Sequence, residues 1–148
     1  MKKYLSFALA AALSAAFCAT AFAAEDNRQV EVKTHIAPTY NVTIPANTTV
    51  ISKAEDTSFG AITLTDAQLD PGKSVNVTLK SSGTLKNKND TSKMLAYTIR
   101  SGESAFTSAS YKTAGESTAL TIHIEKDDWA KAYAGDYADT VEFTISYK

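Results

Sequence analysis

The stretch Asp70-Pro71-Gly72-Lys73-Ser74-Val75-Asn76-Val77-Thr78-Leu79-Lys80 decides the fold class. Pro71 fixes its own φ and Gly72 tolerates a positive φ, so the first four residues predict a tight turn. Apolar and polar side chains alternate after the turn, and a period of two indicates a β-strand with one buried face. The stretch therefore predicts a turn that leads into a half-buried strand.

The same alternation recurs along most of the chain. It predicts further strands at residues 29–36, 40–44, 50–51, 62–64, 95–99, 120–124 and 141–147. The polar run 81–92 predicts a loop, and residues 127–132 predict one helical turn that Gly135 terminates. Seven or eight short strands without interleaved helices predict an all-β protein, an antiparallel Greek-key (immunoglobulin-like) β-sandwich. A closed barrel is the alternative.

The apolar positions of the central and C-terminal strands should face inward and form the core. They are Val75, Val77, Leu79, Leu120, Ile122, Ile124, Phe143 and Ile145. Truncating any of these side chains should be costly if it is fully buried.

The N-terminal residues have the three parts of a secretory signal peptide. Lys2-Lys3 is basic, residues 4–17 are apolar, and Ala21-Phe22-Ala23 has the small-x-small form of a cleavage site. A membrane-spanning helix needs about 20 strongly apolar residues, and this run is shorter. We therefore expect residues 1–23 to be removed and residues 24–148 to form a single secreted domain, without membrane insertion after cleavage.

Composition and charge exclude several classes of protein. The hydrophobic fraction of 44% is too high for a disordered chain. The net charge is −1 and basic residues form no cluster, which argues against nucleic acid or an anionic membrane surface as partner. The single cysteine, Cys18, leaves with the signal peptide, so neither a disulfide nor a thiolate metal site is expected.

No catalytic constellation is recognisable, so we expect neither an enzyme nor a cofactor. His35 and His123 occupy polar strand positions and are interpreted as exposed residues rather than as a metal pair. Carboxylates gather at Glu125, Asp127, Asp128, Asp136 and Asp139. Turn formation and helix capping explain them; a calcium site, which needs about six or more oxygen ligands, is the alternative.

Three aromatic residues near the helical turn have two interpretations each. Trp129, Tyr133 and Tyr137 could line a face that stacks on sugars, whereas a lone Trp on a short turn more often plugs the open end of a sandwich. Tyr137 precedes the last strand, where its hydroxyl can reach backbone across a corner. This last role is structural.

Two pairs of segments carry a resemblance. Residues 40–46 (YNVTIPA) together with 128–147 (DWAKAYAGDYADTVEFTISY) resemble small exported β-sandwich modules of bacterial cell surfaces, which include WxL-like surface proteins. Trp129 is followed by Ala130 and Lys131, so the Trp-x-Leu triplet itself is absent. Residues 30–39 together with 134–137 (AGDY) are similar to major pilins of the colonisation-factor type, whose N-terminal strand completes a neighbouring subunit.

The resemblance implies a non-enzymatic, exported cell-surface protein that serves as a structural or adhesive subunit of the fimbrial or surface-layer type. The alternative is a small extracellular module that binds carbohydrate or another protein. Val30, Val32 and Ile36 are the candidate strand-exchange residues, because an extended terminal segment can add to the free sheet edge of a neighbour. The expected partner is therefore a second copy, a surface receptor or a carbohydrate.

Overall fold

The computed structural model of the protein describes residues 28–148. Within them the chain forms eleven β-strands and one short α-helix. In chain order these are β1 (Thr39–Thr43), β2 (Asp56–Gln68), β3 (Val75–Lys80), β4 (Thr84–Asn87), β5 (Met94–Ala96), β6 (Thr98–Ser101), β7 (Ser104–Ala105), β8 (Ser108–Tyr111), β9 (Ser117–His123), α1 (Lys126–Lys131), β10 (Tyr137–Ala138) and β11 (Glu142–Tyr147). All of these elements lie in the compact unit Ile36–Lys148, whereas the residues up to His35 belong to a separate unit.

The strands form three antiparallel sheets. A five-stranded sheet has the order β1-β2-β9-β6-β7, and two three-stranded sheets have the orders β10-β4-β5 and β11-β3-β8. All three sheets contribute to a single apolar core, which contains Ile62 and Leu120 from the large sheet, Val77 and Tyr111 from one small sheet and Leu95 from the other. This arrangement confirms the predicted all-β sandwich.

The turn that begins the fold-deciding stretch forms as predicted. The Lys73 N–H donates to the Asp70 carbonyl at 3.0 Å, and Gly72 adopts a φ of 81°. A positive φ of this size disfavours any residue with a Cβ, which explains the glycine. The strand that follows, β3, buries Val75 and Val77 completely.

Most of the predicted core residues are buried. Those confirmed as buried are Val75, Val77, Leu120, Ile122 and Ile124, while Leu79 and Phe143 are partly buried against the core. Ile145 is 38% exposed, so the expectation that it is buried is wrong. The physical reason lies at the sheet edge described below.

The sequence understates the length of β2 and misplaces several short strands. The predicted strand 62–64 is part of a 13-residue strand, whose register shifts between Ser58 and Gly60. Strand β4 forms inside the predicted loop 81–92, and the predicted strand 95–99 divides between β5 and β6 in different sheets. Pairing with distant strands decides these cases, and local alternation carries no information about it.

Residues 44–55 connect β1 to β2 without forming a strand, and we call them the strap. The predicted strand at residues 50–51 lies in the strap and is therefore wrong. The strap lies against β2 at two places. The Ile51 N–H donates to Thr57 Oγ1 at 3.1 Å, and Pro45 is so close to Gly60 that a Cβ added to this glycine would stand 3.5 Å from it. Contacts of single residues, rather than a continuous strand ladder, hold this segment in place.

The predicted half-buried strand at residues 29–36 is also wrong. These residues are in no strand; Val30 is 84% exposed, Val32 93% and Ile36 61%. Alternation gives a segment one apolar face, but a strand also needs a partner edge for its backbone groups, and no described strand pairs with this segment. The predicted signal peptide, residues 1–23, lies outside the described residues.

Candidate functional site

Strands β1 and β11 are edge strands of two different sheets, and they lie next to each other. Among the described strands, β1 pairs with β2 and β11 pairs with β3. The rings of Tyr40 on β1 and Tyr147 on β11 stack with centroids 5.8 Å apart. We call the gap between these two edges the seam.

One end of the seam is closed by Tyr147. Its hydroxyl accepts a hydrogen bond from the Asp70 N–H at 2.8 Å and donates to the Asp70 carboxylate at 2.9 Å. The fold-deciding turn thus fixes the last tyrosine, and with it the spacing of the two edges at this end.

The middle of the seam leaves a core-facing side chain exposed. Ile145 is the cross-strand partner of Val77 and therefore lies on the same face of the sheet. Val77 is completely buried, yet Ile145 is 38% exposed. Phe143, two residues before Ile145 on the same face, packs against Phe59 of β2 with ring centroids 6.1 Å apart. The core is therefore open at the seam beside Ile145.

A cavity of about 410 Å³ occupies the far end of the seam. Its walls include Ile44, Pro45 and Val50 of the strap, Phe59 of β2 and Phe143 of β11. The named walls are apolar, and the cavity lies between the strap, which continues from β1, and the start of β11. Among the described strands, β1 and β11 each pair on one side only. An apolar floor between two unpaired edges is the arrangement that accepts an added β-strand.

A hydrogen-bonded network forms the polar wall of this cavity. The Tyr97 hydroxyl donates to Asp139 Oδ2 at 2.6 Å, and Ser82 Oγ donates to the same oxygen at 2.7 Å. Burial, together with the hydrogen bond to Asp139, raises the pKa of Tyr97 to about 12. Burial of Asp139 acts to raise its pKa, but the bonds from Tyr97 and Ser82 outweigh it and hold the pKa below its usual value. The phenol therefore stays protonated and anchors the segment between β10 and β11.

The structure does not bring Trp129 and Tyr133 into one aromatic surface. Trp129 packs against the core, and its Nε1–H donates to the Ala54 carbonyl at 2.8 Å. Tyr133 is 62% exposed, and the Lys93 ammonium lies 4.5 Å from its ring centroid. The Trp129 indole is therefore bonded to the strap, whereas the exposed ring of Tyr133 contacts the Lys93 ammonium.

A second cleft, of about 580 Å³, contains Trp129, Tyr137 and Asp139 in its lining. Two of its polar groups, Tyr137 and Asp139, are already engaged within the protein. The Tyr137 hydroxyl accepts from the Tyr133 N–H at 3.1 Å and donates to the Tyr133 carbonyl at 3.0 Å, which confirms the predicted corner. Asp139 is engaged by Tyr97 and Ser82, so these groups have little capacity left for a sugar.

The candidate strand-exchange residues form a regular alternating segment. Val30, Val32 and Ile36 are exposed, and the intervening Glu31 and Lys33 form an ion pair of 2.8 Å. One side of an extended strand at these positions would be apolar and the other charged.

The two histidines differ. His35 is exposed, as predicted, but the side chain of His123 is only 11% exposed. Its Nδ1 lies 2.8 Å from Asp56 Oδ1, and its Nε2 lies 3.1 Å from Glu125 Oε1. The prediction that His123 is an exposed strand residue is therefore wrong, because the neighbouring strand and the start of α1 each place a carboxylate against the ring. Within residues 28–148, no group of three or more acidic, histidine or cysteine side chains could hold a metal ion.

The seam is the feature that sequence reasoning missed. The alternation at residues 141–147 correctly marks one apolar face, yet nothing in it shows that the strand has a partner on one side only. The exposure of Ile145 becomes visible only once the neighbours of β11 are known. No helix in the described part of the chain is long and apolar enough to cross a membrane.

Comparisons with known proteins give a weak structural likeness. No family model matches the chain, and none of the curated proteins matches it. A solved structure from work on the chaperone–tip adhesin complex in CFA/I fimbriae biogenesis is 15% identical, with a TM-score of 0.48. The match covers 72% of this chain and 42% of that chain, so this chain spans less than half the length of its neighbour. The WxL resemblance finds no support in these comparisons.

Proposed function

We propose that the protein is a non-enzymatic, exported structural or adhesive subunit whose copies join by strand exchange. The segment that carries Val30, Val32 and Ile36 in one copy enters the seam between β1 and β11 of the next. The exposed, core-facing side chain of Ile145 carries this proposal. The core is incomplete around Ile145, and an added strand with an apolar face would cover this side chain.

The segment and the seam are complementary in shape and chemistry. An inserted strand would bond its backbone groups to the free edges of β1 and β11, while its apolar face covers Ile145 and the cavity beside Phe143. Burying three Val or Ile side chains contributes about 1.5–3 kcal/mol each before the cost of association. Glu31 and Lys33 would stay on the solvent side.

Backbone geometry favours insertion into a second copy over closure of the protein's own seam. Only Ala37 and Pro38 separate Ile36 from the start of β1 at Thr39. Folding the segment back onto β1 would need a two-residue hairpin, whose favoured turns require a positive φ at the first position. Alanine disfavours that conformation, and Lys53 is the one non-glycine residue with a positive φ in residues 28–148.

Light scattering of the chain from Ala24 onward tests the proposal. We expect concentration-dependent oligomers, and the double variant Val30→Asp/Val32→Asp should weaken association at least about tenfold, which corresponds to about 1.4 kcal/mol. The matched control is Glu31→Ala/Lys33→Ala, which changes the polar side of the same segment and should associate as the unchanged chain does.

A peptide of residues 28–36 should also bind the domain that starts at Ile36, and Ile145→Asp should abolish that binding. A chain that remains monomeric at high concentration, with no peptide binding, would overturn strand exchange.

A further inference from the structure

His123 lies between two carboxylates that come from different elements. His123 is the last residue of β9 and pairs with Asp56, the first residue of β2, while Glu125 is the N-cap residue of α1. Both ring nitrogens are within hydrogen-bond distance of a carboxylate oxygen, at 2.8 Å and 3.1 Å. The histidine therefore bridges the start of a strand and the start of a helix.

The geometry requires two donors on the ring. An ionised carboxylate only accepts hydrogen bonds, whereas a neutral imidazole has one donor and one acceptor. Both contacts can thus be hydrogen bonds only when the ring is an imidazolium. Loss of one proton leaves a ring nitrogen lone pair facing a carboxylate, and one of the two bonds is lost.

Charged side chains from β2, β6 and the start of α1 lie around the ring. Arg100 on β6 lies 3.5 Å from Glu125 Oε1 and opposes a positive ring, whereas Asp56 on β2 and Glu125 favour it. Lys126 of α1 is engaged by Glu55 at 3.2 Å. The hydrogen bond to Asp56 is the main cause that raises the pKa of His123, and it outweighs the opposing effects of burial and of Arg100.

The same corner fixes the end of the strap. The Ile124 N–H donates to the Glu55 carbonyl at 2.8 Å, and Trp129 of α1 donates to the Ala54 carbonyl at 2.8 Å. The two acceptors belong to Ala54 and Glu55, the two residues before Asp56. Any loosening between Asp56, His123 and Glu125 therefore acts on the strap, which lines the seam cavity.

We propose that His123 is a pH-sensitive latch, whose imidazolium ties the start of β2 to the start of α1 and whose deprotonation loosens this corner and the strap. The direction follows from linkage. The pKa of His123 in the folded state lies above its unfolded value of about 6.5. The stability that the protonated ring adds is therefore fully present below a pH of about 6.5. It is lost as the pH rises through the folded-state pKa.

Thermal unfolding of the full chain between pH 5.5 and 8.5 tests the latch. We expect the melting temperature of the unchanged protein to fall with rising pH by about 2–5 °C more than that of His123→Gln, the range expected for one hydrogen bond. His35→Gln is the matched control, because it removes the other histidine from an exposed position; it should keep the full pH dependence. Identical slopes for the unchanged protein and His123→Gln would overturn the proposal.

A second measurement needs no variant. The His123 imidazole can be titrated by NMR in the unchanged protein. Amide exchange can be followed over the same pH range at Ile124 and at Ala54, whose N–H donates to the Ile51 carbonyl within the strap at 3.1 Å. The pKa of His123 should lie above the ordinary histidine value of about 6.5, and exchange at both amides should accelerate beyond the intrinsic pH effect as His123 loses its proton. A His123 midpoint at or below the ordinary value of about 6.5 would contradict the latch. This test does not depend on strand exchange, so either proposal can fail without the other.

Discussion

Strands β3 and β11 are direct hydrogen-bonded partners, yet their core-facing residues differ in burial. Val77 is completely buried and its partner Ile145 is 38% exposed. Strand β3 has β8 on its other side, whereas β11 has no further partner among the described strands. The same alternating pattern therefore produces a closed core in the middle of a sheet and an open one at its edge.

The largest effect is expected where the core is closed. Ile62 on β2 is completely buried in the core, so Ile62→Ala should lower the free energy of unfolding by about 2–5 kcal/mol. Urea titration of the domain that begins at Ile36 measures the loss. A cost below about 1 kcal/mol would mean that the centre of the sandwich is as loosely packed as the seam.

The polar wall of the seam cavity gives an intermediate effect. Tyr97→Phe removes the hydroxyl that donates to Asp139 at 2.6 Å and should cost about 1–2 kcal/mol. Since Ser82 also donates to Asp139, Ser82→Ala offers a graded comparison with a smaller loss. If Tyr97→Phe were neutral by urea titration, this network would not hold the segment between β10 and β11.

The smallest effect on the isolated domain should come from the seam itself. Ile145→Ala should cost less than about 1 kcal/mol, because a partly exposed side chain loses little burial when truncated. The same variant should weaken binding of the peptide of residues 28–36, measured by calorimetry. A large stability loss without an effect on peptide binding would show that Ile145 serves the domain's own core and not an added strand.

Part of the fold was predictable from local signals. The turn at Asp70, strand β3, strand β11 and the short helix all follow from residue types and spacing within a few positions. The Tyr137 corner was predictable as well, because its hydroxyl bonds to the backbone of Tyr133, only four residues away. Each of these features needs only contacts between near neighbours in the chain.

The candidate site was only half predictable. The alternation of Val30, Val32 and Ile36 predicts an exchange segment, but it does not predict the seam that would receive this segment. Its two edges, β1 and β11, stand about a hundred residues apart in sequence and meet through Tyr40 and Tyr147. No local pattern encodes such a meeting, since it depends on which strands pair across the whole domain.

The two partners of His123 differ in the same way: one is close in sequence and the other is brought near by strand pairing. Glu125, two residues along the chain, was visible as a neighbour, but Asp56 is brought to the ring by the pairing of β2 with β9. Periodicity sets which face of a strand is apolar, and it determined the all-β class and most of the core. Burial and the charges around a side chain depend on neighbours that are distant in sequence, so the open seam and the position of His123 between two carboxylates were decided only by the tertiary structure.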